Sequence, residues 1–136
     1  MEFRKAEESD LAFMAEHTIS RGCFKEQPAM MDYVYALEHD GNLLAIGGVK
    51  IVNPWTAWAW LDLSEHAPGH YVLLFRLIRE WLDAFMEENG IMRIMAGVET
   101  DFLKGIEMVE HLGFRRESIM EHFCGKKDAY CYVRIK

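Results

Sequence analysis

The chain has 136 residues, 51% hydrophobic and 27% charged, which is length enough for one domain that buries its own core without disulfide or metal staples. Fifteen Lys and Arg against 22 Asp and Glu leave a net charge of −7 at pH 7. That field repels phosphate backbones, so it argues against a nucleic-acid binder with a broad basic face and makes any polyanionic ligand depend on local cations or helix ends.

Cys23, Cys124 and Cys131 form no CxxC pair and are odd in number. Reduced thiols of an intracellular protein are the expectation. No apolar signal core follows Met1 to Lys5, and charge interrupts every apolar stretch before it could span a membrane. A single cytoplasmic domain over residues 1–136 is expected, with neither nucleic acid nor membrane as partner.

In chain order, Phe3 to Ala6 reads as a short strand, and Ser9 and Asp10 offer N-cap oxygens for a helix carrying Leu11, Met14, Ala15 and Ile19. Gly22 is its expected end, and a second short helix is expected over Gln27 to Asp32. Strand Tyr33 to Glu38, the hairpin signal Asp40-Gly41 and strand Leu43 to Val52 follow, then a turn at Asn53-Pro54 and a strand from Thr56 to Leu63. On that last strand Trp58, Trp60 and Asp62 share a face, because strand side chains alternate.

Tyr71, Leu74, Phe75, Ile78, Trp81, Leu82 and Phe85 repeat at helical spacing, with Arg76, Arg79, Glu80, Asp83 and Glu87 opposite. Asn89-Gly90 is a natural helix stop, and strand Ile91 to Glu99 comes directly after it. Strand, helix and strand with short joins make a βαβ crossover linking parallel strands. Asp101 can cap a helix to about Leu112 that Gly113 closes, and strands Phe114 to Phe123 and Ala129 to Ile135 end the chain around a turn at Gly125 to Asp128. The fold class is α+β: a mixed, mainly antiparallel central sheet with one βαβ crossover and helices on both faces.

Several local patterns carry a resemblance. Phe3-Arg4-Lys5-Ala6 with Asp10-Leu11, the run His39-Asp40-Gly41-Asn42-Leu43-Leu44-Ala45-Ile46-Gly47-Gly48, and Glu110-His111-Leu112-Gly113-Phe114-Arg115 follow one another in an order that resembles the GNAT superfamily of acetyl-CoA-dependent N-acetyltransferases over nearly the entire chain. A narrower similarity, carried by Leu44 to Gly48, the Trp-rich strand, the long Arg-bearing helix and Gly113-Phe114 before a short final hairpin, is to small GNAT-like proteins of tailed, T7-like phages. It would place the protein in the cytoplasm of a phage host.

The resemblance implies acetyl-CoA as donor and an amine-bearing small molecule or protein as acceptor, with a homodimer admissible. It implies parallel strands that splay around the pantetheine arm, and a pyrophosphate resting on N–H groups at a helix start, where the dipole favours anions. The cofactor-binding candidates are then Leu63, Ser64, His66, Gly69, His70 and Tyr71. The superfamily's Arg/Gln-x-x-Gly-x-Gly/Ala loop is absent here; Pro68 lacks a donor, Glu65 adds negative charge, and only protonated His66 and His70 would offset it.

The catalytic candidates are Asp62, whose carboxyl would titrate higher if buried beside indole rings, and Glu99 at the end of the next strand, with Asp101 as a further possibility. Each also has a simpler structural role, as a hydrogen-bonded turn residue, a sheet-end charge and an N-cap respectively. Val109 stands four residues before Gly113, where the family pattern places an acid Tyr. Trp55, Trp58 and Trp60 could line an acceptor pocket or simply pack the sheet. No metal site is expected, because Pro68-Gly69 separates His66 from His70, and His122 with Cys124 supplies only two ligands. A second class of function is a catalytically inactive phage protein of the same fold that acts by binding another protein, in virion assembly or host takeover.

Overall fold

A computed structural model describes residues 1–20 and 32–136. Its elements are β1 (Glu2–Lys5), α1 (Glu8–His17), β2 (Tyr33–His39), β3 (Asn42–Asn53), β4 (Thr56–Leu63), α2 (Tyr71–Asn89), β5 (Arg93–Glu99), α3 (Leu103–His111), β6 (Arg115–Cys124) and β7 (Lys127–Ile135). The strands form one sheet in the order β1-β2-β3-β4-β5-β7-β6. Every neighbouring pair is antiparallel except β4 with β5, which are parallel because α2 crosses over between them.

The helices cover both faces, as expected. On one face Met14 of α1 packs with Ala36, Leu43 and Ile46 of the sheet. On the other, Leu74, Ile78, Leu82 and Phe85 of α2 and Val109 of α3 pack with Leu37, Val49, Ala57, Ile94 and Val98. Each such side chain contributes about 1.5–3 kcal/mol by leaving water, so the α2–α3 face holds most of the core. The Asp40-Gly41 hairpin has both residues at positive φ, 50° and 79°, as a two-residue primed turn requires. Gly90 ends α2 in the left-handed region at φ 66°.

One feature of the ladder positions the site. Strand β4 pairs with β5 only at Thr56↔Arg93, Ala57↔Ile94 and Trp58↔Met95. Yet β4 holds β3 as far as Ala45↔Leu63, and β5 holds β7 as far as Glu99↔Ala129. The two halves of the sheet therefore part after Trp58 and Met95, leaving a wedge-shaped notch between the C-terminal ends of the parallel strands.

Several expectations are corrected. Helix α1 starts one turn earlier, with Glu7 at the N-cap, and Asp10 lies at its third position, where its carboxylate accepts the Glu7 N–H at 2.8 Å. An acid three residues inside the helix closes the first turn from within, and in the sequence it reads equally well as a cap. The helix ends at His17, with Thr18 as C-cap, rather than reaching Gly22. The helix expected over Gln27 to Asp32 lies outside the described residues, apart from Asp32, whose carboxylate accepts the Ile51 N–H at 2.6 Å. Asp101 does not cap α3; Phe102 holds that position, and the Asp101 carboxylate lies 3.2 Å from Lys127 Nζ. Cys124 is disulfide-bonded while Cys131 is free and buried, which corrects the expectation of three reduced thiols. Pairing depends on tertiary proximity, which spacing alone does not carry. No helix among the described residues is long and apolar enough to cross a membrane.

Candidate active site

The notch opens into a cavity of about 470 Å³, within the range of small-ligand sites. Its wall on the α1 face includes Met14, Thr18, Trp58, Trp60, Asp62 and Glu99. On the α2–α3 face it includes Leu61, Ile78, Ala96, Val98, Met108 and Val109. One space thus runs through the sheet and is reached by side chains from both faces, which a fully paired ladder would forbid.

Backbone direction follows from the register. Ser64 donates its N–H to Leu44 O at 2.9 Å, so position 64 bonds toward β3. Bonding alternates along an antiparallel pair, and the backbone groups of Leu61 and Leu63 are therefore turned away from β3, toward the notch. At Leu63 they are already engaged: Ile19 N–H donates to its carbonyl at 2.8 Å, and its N–H donates to Ser20 Oγ at 2.9 Å. The segment after α1 thereby closes the outer end of the notch, and Leu61 carries the next notch-facing peptide group inward.

The same segment holds Asp62. Thr18 Oγ1 donates a hydrogen bond to Asp62 Oδ1, fixing a carboxylate of the cavity wall against the end of α1. Across the notch Glu99 is 6% exposed and lies 3.7 Å from Lys127 Nζ. Splaying thus brings Asp62 and Glu99 to the walls of one cavity, each with a partner of its own. Asp101 does not line it.

The residues before α2 divide by role. Ser64 is wholly buried; its hydroxyl donates to Leu43 O at 2.6 Å and accepts the His66 N–H at 3.1 Å, which shapes the loop from within. Gly69 takes φ 94° with open space where a Cβ would stand. His70 is the N-cap, and its carbonyl accepts the Leu74 N–H at 3.0 Å. The N–H groups of Tyr71, Val72 and Leu73 are the ones a helix start leaves without an intrahelical acceptor. Val72 is 87% exposed, so this turn faces solvent. The ring of His66 stacks on Phe13 at 5.8 Å, that of His70 meets His39 edge-on at 5.0 Å, and that of Tyr71 stacks on Phe75 at 5.3 Å. Glu65 is turned toward His17, with Oε1 2.9 Å from Nδ1.

Val109 is buried in the cavity wall, so the position at which the resemblance implies an acid is apolar. The Tyr132 hydroxyl, which donates to Glu110 of α3 at 2.8 Å and accepts from Arg116 at 3.1 Å, lies outside that wall; burial, with Glu110 adding to it, pushes its pKa up. Sequence reasoning missed the Thr18–Ser20 clasp and the bedding of Trp60 on Gly48. Gly47-Gly48 beside a Trp-rich strand was the available signal for the second, since paired glycines inside a strand mark close approach.

No protein-family model matches the chain, and no curated protein matches it. Solved structures do. A chimera of the Vibrio cholerae spermidine N-acetyltransferase and hSSAT superimposes with TM-score 0.76 at 18% identity, covering 98% of this chain and 94% of that one. The ribosomal-protein-S18-alanine N-acetyltransferase of Escherichia coli gives 0.74 at 17% identity, covering 98% and 92%. The ribosomal-protein-alanine N-acetyltransferase of Brucella melitensis gives 0.70 at 17% identity over 100% of both chains. Full-length likeness at such identities speaks for architecture, and the chain has the GNAT N-acetyltransferase fold.

Proposed function

We propose that the protein is an N-acyltransferase that moves an acetyl group from acetyl-CoA to an amine, with the α2–α3 side of the notch receiving the donor and the α1 side the acceptor. The observation that carries this reading is the single cavity running through the sheet where β4 and β5 part, with carboxylates of Asp62 and Glu99 in its walls. A space open to both faces suits two substrates that must meet.

On the donor side, the Leu61 peptide group and the first turn of α2 would hold acetyl-CoA, with His66, Gly69, His70 and Tyr71 around the phosphates and Leu63 and Ser64 shaping the wall. When bound, acetyl-CoA supplies an activated thioester. On the acceptor side, Asp62 would orient the amine and take its proton, with Glu99 as the second carboxylate. A thiolate leaves readily, so Val109 in place of an acid does not preclude transfer. Release of CoA thiol on mixing the protein, acetyl-CoA and a panel of primary amines tests the proposal; absence of release above background across the panel refutes it.

A second reading has its own support. The buried Val109, and a Leu63 peptide group already engaged by Ile19 and Ser20, also suit a protein of this fold that acts by binding another protein, as the phage resemblance suggests. Absence of acetyl-CoA binding together with stable capture of a protein partner would favour it.

A further inference from the structure

The cavity continues beneath α2, beyond the apex of the notch. Ala59 and Ala96 directly follow the last β4–β5 pair, Trp58↔Met95, and both line the cavity on the α2–α3 face. Leu61, Gly47 and Tyr35 stand opposite one another across β4, β3 and β2, and all three belong to the same wall. They carry it sideways by two strand spacings, about 10 Å. Ile78 and Trp81 of α2 form the roof, and the Trp81 ring meets that of Tyr35 at 5.4 Å at the far end.

Small residues keep this compartment open. Gly47, Ala59 and Ala96 lie on central strands under the helices, yet each is only partly buried, and the surface they keep is cavity wall. An added Cβ at Gly47 would stand 3.3 Å from Leu61 Cδ1, so the missing side chain lets Leu61 lie low along the sheet. Among the described residues, no side chain lining this side is charged. Folded interiors leave few voids larger than a water molecule, and apolar ones stay dry, so an apolar hollow of this reach suits a hydrocarbon. Pantetheine amides do not fit it, because burying them without hydrogen-bond partners is costly. Nor does the charged end of the acceptor, since Asp62 and Glu99 belong to the α1 face.

We infer that this compartment is an acyl-chain pocket and that the preferred donor is a medium-chain acyl-CoA, hexanoyl-CoA or octanoyl-CoA; acetyl-CoA binds the same notch and leaves the pocket empty. The inference rests on the transferase reading and deepens it by naming the transferred group. Bonds exchange as for acetyl: the amine nitrogen joins the thioester carbonyl carbon, the C–S bond breaks with its electron pair on sulfur, and the proton the amine loses through Asp62 balances the thiol formed. Ala59 and Ala96 let the chain turn under α2, Gly47 and Leu61 set its floor, and the Tyr35–Trp81 contact sets the length at which it stops.

The test is calorimetric titration of the full chain with acetyl-, butanoyl-, hexanoyl-, octanoyl- and dodecanoyl-CoA. Burying one methylene is worth about fourfold in affinity, so hexanoyl-CoA should bind at least about tenfold tighter than acetyl-CoA, with a more negative heat-capacity change. Affinity should peak at hexanoyl or octanoyl and drop at dodecanoyl, which overruns Tyr35. Gly47→Ala pushes Leu61 up into the pocket; the preference for hexanoyl over acetyl should fall about fivefold, with acetyl-CoA affinity unchanged. Equal affinity from acetyl to octanoyl would overturn the inference. So would affinity still rising at dodecanoyl, the mark of unspecific apolar adsorption, or a preference that Gly47→Ala leaves intact. The native-protein titration decides the matter even if the variant fails to fold. No donor preference, together with tighter binding of n-hexylamine than of n-propylamine, would assign the pocket to the acceptor and overturn the inference as well. Amine-dependent release of CoA thiol is followed in parallel for each donor. No release from any donor would sink the transferase reading, whereas release without a chain-length preference in binding would sink only the acyl pocket.

Discussion

Gly47→Ala and Gly48→Ala compare neighbouring glycines that point to opposite faces of β3, paired with Tyr35 and Val34 of β2. At Gly48 a new Cβ would stand 2.5 Å from Tyr33 O and 3.0 Å from Trp60 Nε1. The first contact is with backbone, so either the β2–β3 pair or the indole must move by several tenths of an ångström. Overpacking of that kind costs about 1–3 kcal/mol. At Gly47 the nearest atoms, Leu61 Cδ1 and Trp60 O, lie at 3.3 Å, a tight contact that a leucine terminus can relieve. Restricting the unfolded chain returns about 0.4–1 kcal/mol to either alanine. Gly47→Ala should therefore stay within about 0.5 kcal/mol of the native protein, while Gly48→Ala loses about 2 kcal/mol net of that gain. At this chain length the latter is about 6–10 °C in Tm. Thermal and urea unfolding of both variants provide the readout. Trp60→Phe, which removes Nε1, should make Gly48→Ala less costly in the double variant than in the single one. Equal losses at the two glycines, or a larger one at Gly47, would refute the bedding of Trp60 on Gly48.

Three further outcomes are expected. Asp10 accepts from Arg4 at 2.6 and 2.8 Å, and that guanidinium holds its carboxyl below the usual range; a depressed carboxyl stabilises above its ordinary value near about pH 4 and loses that contribution as pH falls through its own lower pKa. Asp10→Asn should therefore cost about 2 kcal/mol in urea unfolding at neutral pH, with the gap to the native protein narrowing below about pH 4. Glu65→Arg, which reverses a charge beside the start of α2, should tighten acetyl-CoA about fivefold at low salt and progressively less as salt rises, measured by titration calorimetry. Asp62→Asn should lower kcat/KM for the amine about 100-fold and leave acetyl-CoA affinity unchanged; undiminished turnover would remove Asp62 from proton transfer.

Much of the architecture is legible in the sequence because local and global signals agree in it. The α2 stripe from Leu74 to Phe85, the Asp40-Gly41 turn and the Gly90 stop each have a local cause, and all are found where expected. The end of α1 is less legible: Ile19 continues the apolar spacing, but the chain leaves the helix at Thr18 because Ile19 and Ser20 bond to Leu63 of a strand more than forty residues away. Asp10 and Asp101 show the same ambiguity, since an acid near a helix start serves as cap, first-turn acid or ion-pair partner according to tertiary neighbours. For the candidate site, the shared face of Trp58, Trp60 and Asp62 follows from alternation alone. The parting of β4 from β5 does not, because no residue in either strand announces where pairing stops. The packing of the Trp60 indole on Gly48 is likewise a property of the assembled sheet.

The most direct test of the central claim, that the notch between β4 and β5 is a donor site, is a calorimetric titration of the native protein with acetyl-CoA. Saturable binding at one site per chain is predicted, with a negative heat-capacity change from burying an apolar arm. Melting should rise in step, because ligand at about 100 times Kd adds about 2.7 kcal/mol to stability. No heat of binding and no shift in Tm at millimolar acetyl-CoA would contradict the account.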